Sequence, residues 1–204
     1  MNVLPAAVAA LLAGAVGLSG CGGGGASSAS TPAGQSSSST ANGASSASAH
    51  NAQDATFASQ MIGHHTQAIA MSKLAATRAS SPQVKDLAAR IEGAQQPEIG
   101  LMNKMLKSWG SSGNDGGMAM MGHGNDGMAT KAQLTKLKNA NGATFDRLFL
   151  TLMTAHHRGA IMMAKKEQKG GKSSQAISLA GRIRNAQAGE IKEMAALMKT
   201  ASQT

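Results

Sequence analysis

Apolar side chains recur three and four residues apart through much of the chain, the spacing of one buried helix face, without the alternation that marks strands. Positions 57, 61, 64, 68, 71 and 75 step in that rhythm and predict a first helix. Ser81-Pro82 predicts a restart, because serine caps a helix and proline is tolerated in its first turn. A second seam runs through Val84, Leu87, Ile91, Glu98, Met102 and Met105, and Trp109-Gly110 predicts its end.

The pattern then repeats. Shifting the chain by 92 residues lays 57–107 on 149–199 without a gap, and 20 of the 51 pairs are identical. The identities include Phe57/Phe149, Met61/Met153, His64/His156, His65/His157, Met71/Met163, Gln95/Gln187, Glu98/Glu190 and Met102/Met194. The second half offers Gly170-Gly171 as its turn and Ser173 or Ser174 as its cap. Between the halves lie a Gly- and Met-rich loop over 110–128 and a short helix from about Lys131 to Ala140, stopped by Asn141-Gly142. Two hairpins of roughly 25-residue helices predict an all-α fold over 51–204, an antiparallel four-helix bundle with a pseudo-two-fold axis.

The segment before it has a different character. Val3 to Val16 is apolar but short for a membrane span, and it leads into Leu18-Ser19-Gly20-Cys21. Residues 1–21 therefore resemble a lipoprotein signal peptide, with Cys21 as the residue that takes the lipid, although no Lys or Arg precedes it. Residues 22–50 hold six Gly, ten Ser and seven Ala and no charge, the composition of a disordered tether ending at His50. The expected location is exported and lipid-anchored to the cell envelope, periplasmic or on the outer surface.

Charge narrows the function classes. Lys and Arg total 19 against 10 Asp and Glu, a net charge of +9. Aromatics are only 2 % of the chain, so the stacking platforms of a single-strand nucleic-acid binder are missing and no nucleic-acid partner is expected. One cysteine excludes an internal disulfide framework and a cysteine-based zinc site. Methionine is abundant instead, with 14 residues.

The chemistry sits in the polar positions of the seam. His64-His65 and His156-His157 occupy the same turn of the first and third long helices. Adjacent helical residues point about 100° apart, so one member of each pair can face the seam while the other faces a neighbouring helix. Met61 and Met71 flank the first pair, and Met153 and Met163 the second. The partner helices bring Gln95, Glu98 and Met102, and Gln187, Glu190 and Met194. Single methionines of this kind are ordinary core filler, and a His–Glu pair can simply fix helix register. Repetition of the whole set favours metal ligation, with the Gln and Glu residues as supports. Imidazole and thioether together select copper, above all Cu(I) or Ag(I).

The central loop adds Met118, Met120, Met121, His123 and Met128 within eleven residues, and from Ser108 to Thr130 it has no Lys or Arg. A cation suits that composition. A di-iron carboxylate site requires Glu-x-x-His on two helices. The residues three places after Glu92, Glu98, Glu167 and Glu190 are Gln95, Leu101, Gly170 and Glu193, so that site is not expected. No nucleophile–base motif or phosphate loop marks an enzyme. The competing function is a helical lipoprotein module that binds a partner protein without metal.

The segments Phe57 to Met71 and Phe145 to Met163, each with its His-His pair, resemble the signatures of a bacterial family catalogued as domain of unknown function 305, over about 54–200. That resemblance implies a ferritin-like four-helix fold. Exported members of the family include copper-binding, copper-resistance proteins, so it also implies copper handling outside the cytoplasm. By motif it points to Met61, His64, His65, Met71, Met153, His156, His157 and Met163, with the Met-rich loop, as ligands. A copper-exporting or copper-storing protein would be the partner.

Overall fold

The structure is a computed structural model that describes residues 49–111 and 127–201. Cys21 and the signal segment, the tether as far as Ser48, and Met118, Met120, Met121 and His123 of the central loop lie outside the described residues. The described residues form five α-helices and no strand: α1 (Ala52–Arg78), α2 (Pro82–Ser108), α3 (Lys131–Asn139), α4 (Gly142–Gly170) and α5 (Ser174–Ala201). α1 pairs with α2 and α4 with α5 as antiparallel hairpins, α1 packs along α4, and α3 touches both α1 and α4.

The helix ends follow from local chemistry. Asn51 caps α1 by accepting the amides of Gln53 and Asp54, and Asp54 returns a bond to the Asn51 amide, a reciprocal capping box. Ser81 caps α2 with Pro82 in the first turn. That helix runs unbroken through Pro97, where sequence propensity alone would end it. At its far end Ser111 bonds back to the Leu106 carbonyl and Gly110 to Lys107, with Gly110 at φ 72°. This left-handed closure favours glycine. Ser173, not Ser174, caps α5 through the Ala176 amide. Asn141-Gly142 does more than end the short helix: Gly142, at φ 60°, is the first residue of α4.

A polar layer divides the core into two apolar clusters. One holds Met71, Met153 and Met194 with Phe145, Phe149, Leu87 and Ile91. The other holds Met61 and Met102 with Phe57, Leu106, Leu179 and Ile183, and the partly buried Met163 packs against it. The 92-residue shift carries Met61, Met102 and Met163 onto Met153, Met194 and Met71 modulo the exchange of halves, so the clusters are images of each other. Each buried Phe or Leu contributes about 1.5–3 kcal/mol from loss of apolar surface to water. That supplies a core without any ligand.

The two halves also lock each other at their turns. Buried Asp54 of α1 accepts the amides of Lys172 and Ser173, at the turn of the second hairpin. Buried Asp146 of α4 accepts the amides of Ser80 and Ser81 and the Ser80 hydroxyl, at the turn of the first. These aspartates are 92 residues apart, as are the turns they hold. Each half therefore clamps the other. No helix among the described residues is long and apolar enough to cross a membrane.

Candidate metal centre

α1 and α4 lie side by side, and the pseudo-two-fold relation brings their equivalent histidines face to face. The His64 and His156 rings meet with centroids 3.6 Å apart and planes inclined by 41°. His64 is 2 % exposed and His156 is fully buried. Two repeated halves can each build a site of their own or meet across the axis. At these two residues they meet.

The other member of each pair faces its own hairpin partner. His65 Nε2 lies 2.8 Å from Glu98 Oε2, and His157 Nε2 lies 2.7 Å from Glu190 Oε2. Both imidazoles are fully buried, while the two carboxylates keep partial contact with solvent. The roughly 100° between adjacent helical residues thus sorts the four rings into a central pair and two flanking His–Glu pairs. One turn before each glutamate, Gln95 and Gln187 are buried, and neither the oxygen nor the nitrogen of either amide has a hydrogen-bond partner. Nδ1 of His65 and Nδ1 of His157 also lack one. Buried polar atoms normally find partners, and these amides and imidazoles lie one helical turn apart on paired helices.

Electrostatics disfavour the charged form of His156. Burial, followed by the neighbouring His64, His157 and His65, holds the His156 imidazole well below the ordinary histidine value of 6.5. A neutral imidazole carries the lone pair that a metal ion requires. Arg147 and Arg158, the charged residues near only the second pair in sequence, are exposed.

Both apolar clusters carry methionine, and the Thr154 hydroxyl donates to the Met194 sulfur at 3.6 Å. Met61, Met71, Met102, Met153 and Met194 are all buried, Met163 and Met128 partly so. Among the described residues no three His, Cys, Asp or Glu side chains gather closely enough to hold a metal.

Four features lie outside the sequence expectations. Asp54 and Asp146 sit three residues before the matched blocks. Buried Glu167 stands beside Asp54. Gln67 bonds the backbone of Ala129. His50, expected as the end of a tether, stacks on Trp109 with centroids 4.9 Å apart. Only the aspartates left a sequence signal, the same 92-residue offset.

With this geometry in hand, comparison with known proteins identifies the kinship. The family described as "Domain of unknown function (DUF305)" matches residues 54–198. The chain belongs to that family. A DUF305 protein of Streptomyces coelicolor, named as secreted, is 35 % identical and superimposes with a TM-score of 0.68, covering 74 % of this chain and 94 % of that one. CopM is 28 % identical with a TM-score of 0.58, covering 72 % of this chain and 96 % of CopM in its Cu(I)-bound form. CopM has also been solved bound to Cu(II), bound to silver and free of metal. "Uncharacterized protein L153" of Acanthamoeba polyphaga mimivirus is 43 % identical over 53 residues. That match spans 26 % of this chain and 35 % of the viral protein.

Proposed function

We propose that this DUF305 protein is an exported, lipid-anchored copper carrier that binds Cu(I), or Ag(I) as its mimic, through histidine and methionine. One observation carries the reading: a buried imidazole pair on the pseudo-two-fold axis, set between two methionine-bearing cores and flanked by the unpartnered amides of Gln95 and Gln187. His64 and His156 are the central nitrogen donors. Met61, Met71, Met102, Met153, Met163 and Met194 are the thioethers within the bundle, and soft donors of this kind favour Cu(I) over Zn(II). His65 and His157 flank the centre, and Glu98 and Glu190 fix their orientation, as outer carboxylates do for metal-ligating histidines. Gln95 and Gln187 supply buried amides around them.

Met118, Met120, Met121, His123 and Met128 are a second, loop-borne set of copper ligands. Cys21 holds the chain to the envelope through lipid, and the protein buffers or delivers copper, or confers resistance to it, with a copper-exporting or copper-storing partner. It binds its metal and does not turn it over. The kinship to CopM, a protein solved with Cu(I), Cu(II) and silver, supports copper as the cargo.

Competition between the purified protein and a chromogenic Cu(I) chelator tests this. Copper should move to the protein, and His64→Leu should lower the amount transferred while the helical circular dichroism stays intact. No transfer to the wild-type protein would remove the copper reading.

A further inference from the structure

The sharpest break in the two-fold symmetry lies directly beside the histidine pair. Gln67 and Gly159 are equivalent positions in the two halves, each three residues beyond its central histidine. Their environments are complementary, not alike. The Gln67 side chain accepts the Ala129 amide at 2.7 Å and donates to the Ala129 carbonyl at 3.0 Å, pairing with one residue's backbone in both directions. On the other helix, Gly127 is pressed against α4. A Cβ at Gly127 would stand 2.1 Å from the Ala155 carbonyl oxygen and 3.2 Å from the Gly159 amide nitrogen, and its φ of +72° is left-handed. Space and backbone conformation both require glycine there. Gly159 is itself buried.

Residues 127–129 therefore form a strap across α1 and α4. It is held on one side by Gln67 and seated on the other against the turn that carries His156 and His157. Half-buried Met128 lies between the two anchors. We propose that this strap closes the His64–His156 centre on the α1–α4 face, that Gln67 is its positioning residue, and that a soft monovalent ion, Cu(I) or Ag(I), exchanges with the centre only when the strap lifts. The inference rests on the copper-binding reading and adds the control of exchange at that same site. The duplication explains why one strap suffices: the chain crosses between its halves once, and the two equivalent positions have diverged into a clamp and a seat.

The test uses Gln67→Ala, which removes both bonds, Gln67→Glu, which keeps only the acceptor for the Ala129 amide, and Gly127→Ala, which puts a methyl into the seat. Two readouts are taken: hydrogen-exchange protection of the Ala129 amide in the metal-free protein, and the rate at which silver- or Cu(I)-loaded protein yields its metal to excess chelator. Gln67→Ala and Gly127→Ala should lose Ala129 protection and release metal about tenfold faster, the scale of two net hydrogen bonds, with Gln67→Glu between them and wild type. Because Ala129 belongs to the first core cluster, some loss of thermal midpoint accompanies the lost bonds, and release rates are read well below that midpoint. Lost protection with an unchanged release rate overturns the exchange control. Protection retained in Gln67→Ala overturns the clamp itself. Should Gly127→Ala fail to fold, the two Gln67 variants carry the test alone. A wild-type protein that takes up neither Cu(I) nor Ag(I) fails the function proposed above, and with it the exchange role. Loss of Ala129 protection would then still report the strap separately.

Discussion

Glu167 offers a sharp quantitative test of how this bundle manages buried charge. Its carboxyl is fully buried at the end of α4. Burial, then the hydrogen bond and charge of Asp54, push it from 4.5 up to about 8, against a smaller opposing effect of the Gln53 amide. Asp54 goes the other way. Burial pushes it up, but hydrogen bonds from Glu167 and from the amides of Asn51, Ser173 and Lys172 outweigh that and leave it below 3.8. The shared proton resides on Glu167.

An acid whose folded value is raised destabilises the fold above its unfolded value, because the unfolded chain gives up the proton first. Stability is therefore undiminished below about 4.5 and declines as pH climbs toward about 8. Each pH step in that window costs about 1.4 kcal/mol, so at pH 7 holding the proton costs about 3 kcal/mol. Glu167→Gln keeps a donor toward Asp54 and carries no proton to lose. Allowing for imperfect bonding of the buried amide, it should stabilise the protein by about 2 kcal/mol at pH 7 and about 3 kcal/mol at pH 8, and not at all at pH 4. Urea unfolding followed by circular dichroism at each pH gives the difference curve directly. A difference that stays flat with pH, or a variant weaker than wild type at pH 8, would refute the reasoning. The first half holds the control. The equivalents of Glu167 and Gly171 are Ala75 and Ala79, and a Cβ at 171 would lie 2.3 Å from Glu167 Oε1. The double change Glu167→Ala/Gly171→Ala rebuilds the second end as the first and should be equally free of the pH slope.

The remaining expectations are compact. His156, held below 6.5, is neutral when folded and charged when unfolded, so metal-free stability should fall as pH drops below 6.5. His156→Leu should flatten that slope and leave the apo bundle as stable or more so at pH 5, by urea unfolding. Asp146→Asn should cost about 2 kcal/mol by loss of charge-assisted bonds to the Ser80 and Ser81 amides. Asp54→Asn should cost less than Asp146→Asn at pH 8, because it also relieves Glu167. His64→Leu and His156→Leu should each lower Cu(I) uptake, and the double variant should add little, since contacting partners are non-additive. Equal and additive losses in chelator competition would instead mean two independent sites.

Much of the architecture was legible because it is written in spacing. The three–four rhythm, Ser81-Pro82, Trp109-Gly110 and Gly170-Gly171 mark helices and turns that the structure bears out within a residue or two. The tandem histidines stood out for the same reason, and their 92-residue offset carried the pseudo-two-fold relation. Spacing could not say which member of each pair turns inward. That depends on the rotation of α1 against α4, which no single helix encodes, and it decides that His64 meets His156 while His65 and His157 turn to Glu98 and Glu190. The clamps were hidden for another reason. An aspartate that caps a turn over a hundred residues away looks like any first-turn acid, and Gln67 at an ordinary helical position says nothing of the backbone it will hold. His50 belonged by composition to the tether, and only Trp109 gives it a place.

The pattern of agreement and divergence between the halves is itself informative. Identical positions include the polar ones His64/His156, His65/His157, Gln95/Gln187, Glu98/Glu190 and Asp54/Asp146, beside core pairs such as Phe57/Phe149 and Leu87/Leu179. A centre on a pseudo-two-fold axis receives donors in equal pairs, and for that reason selection on either half acts on both. Positions that diverged in a structurally matched way are Gln67/Gly159 and the Ala75–Ala79 and Glu167–Gly171 sets. The first directs the single connection across the axis beside the histidines, and the second places a titratable carboxyl at one end only. Symmetry can supply an even number of ligands to the axis but never an odd one. Under the copper reading, any unpaired donor must enter where symmetry is broken, and in the described structure the chain does so beside His64 and His156 at residues 127–129.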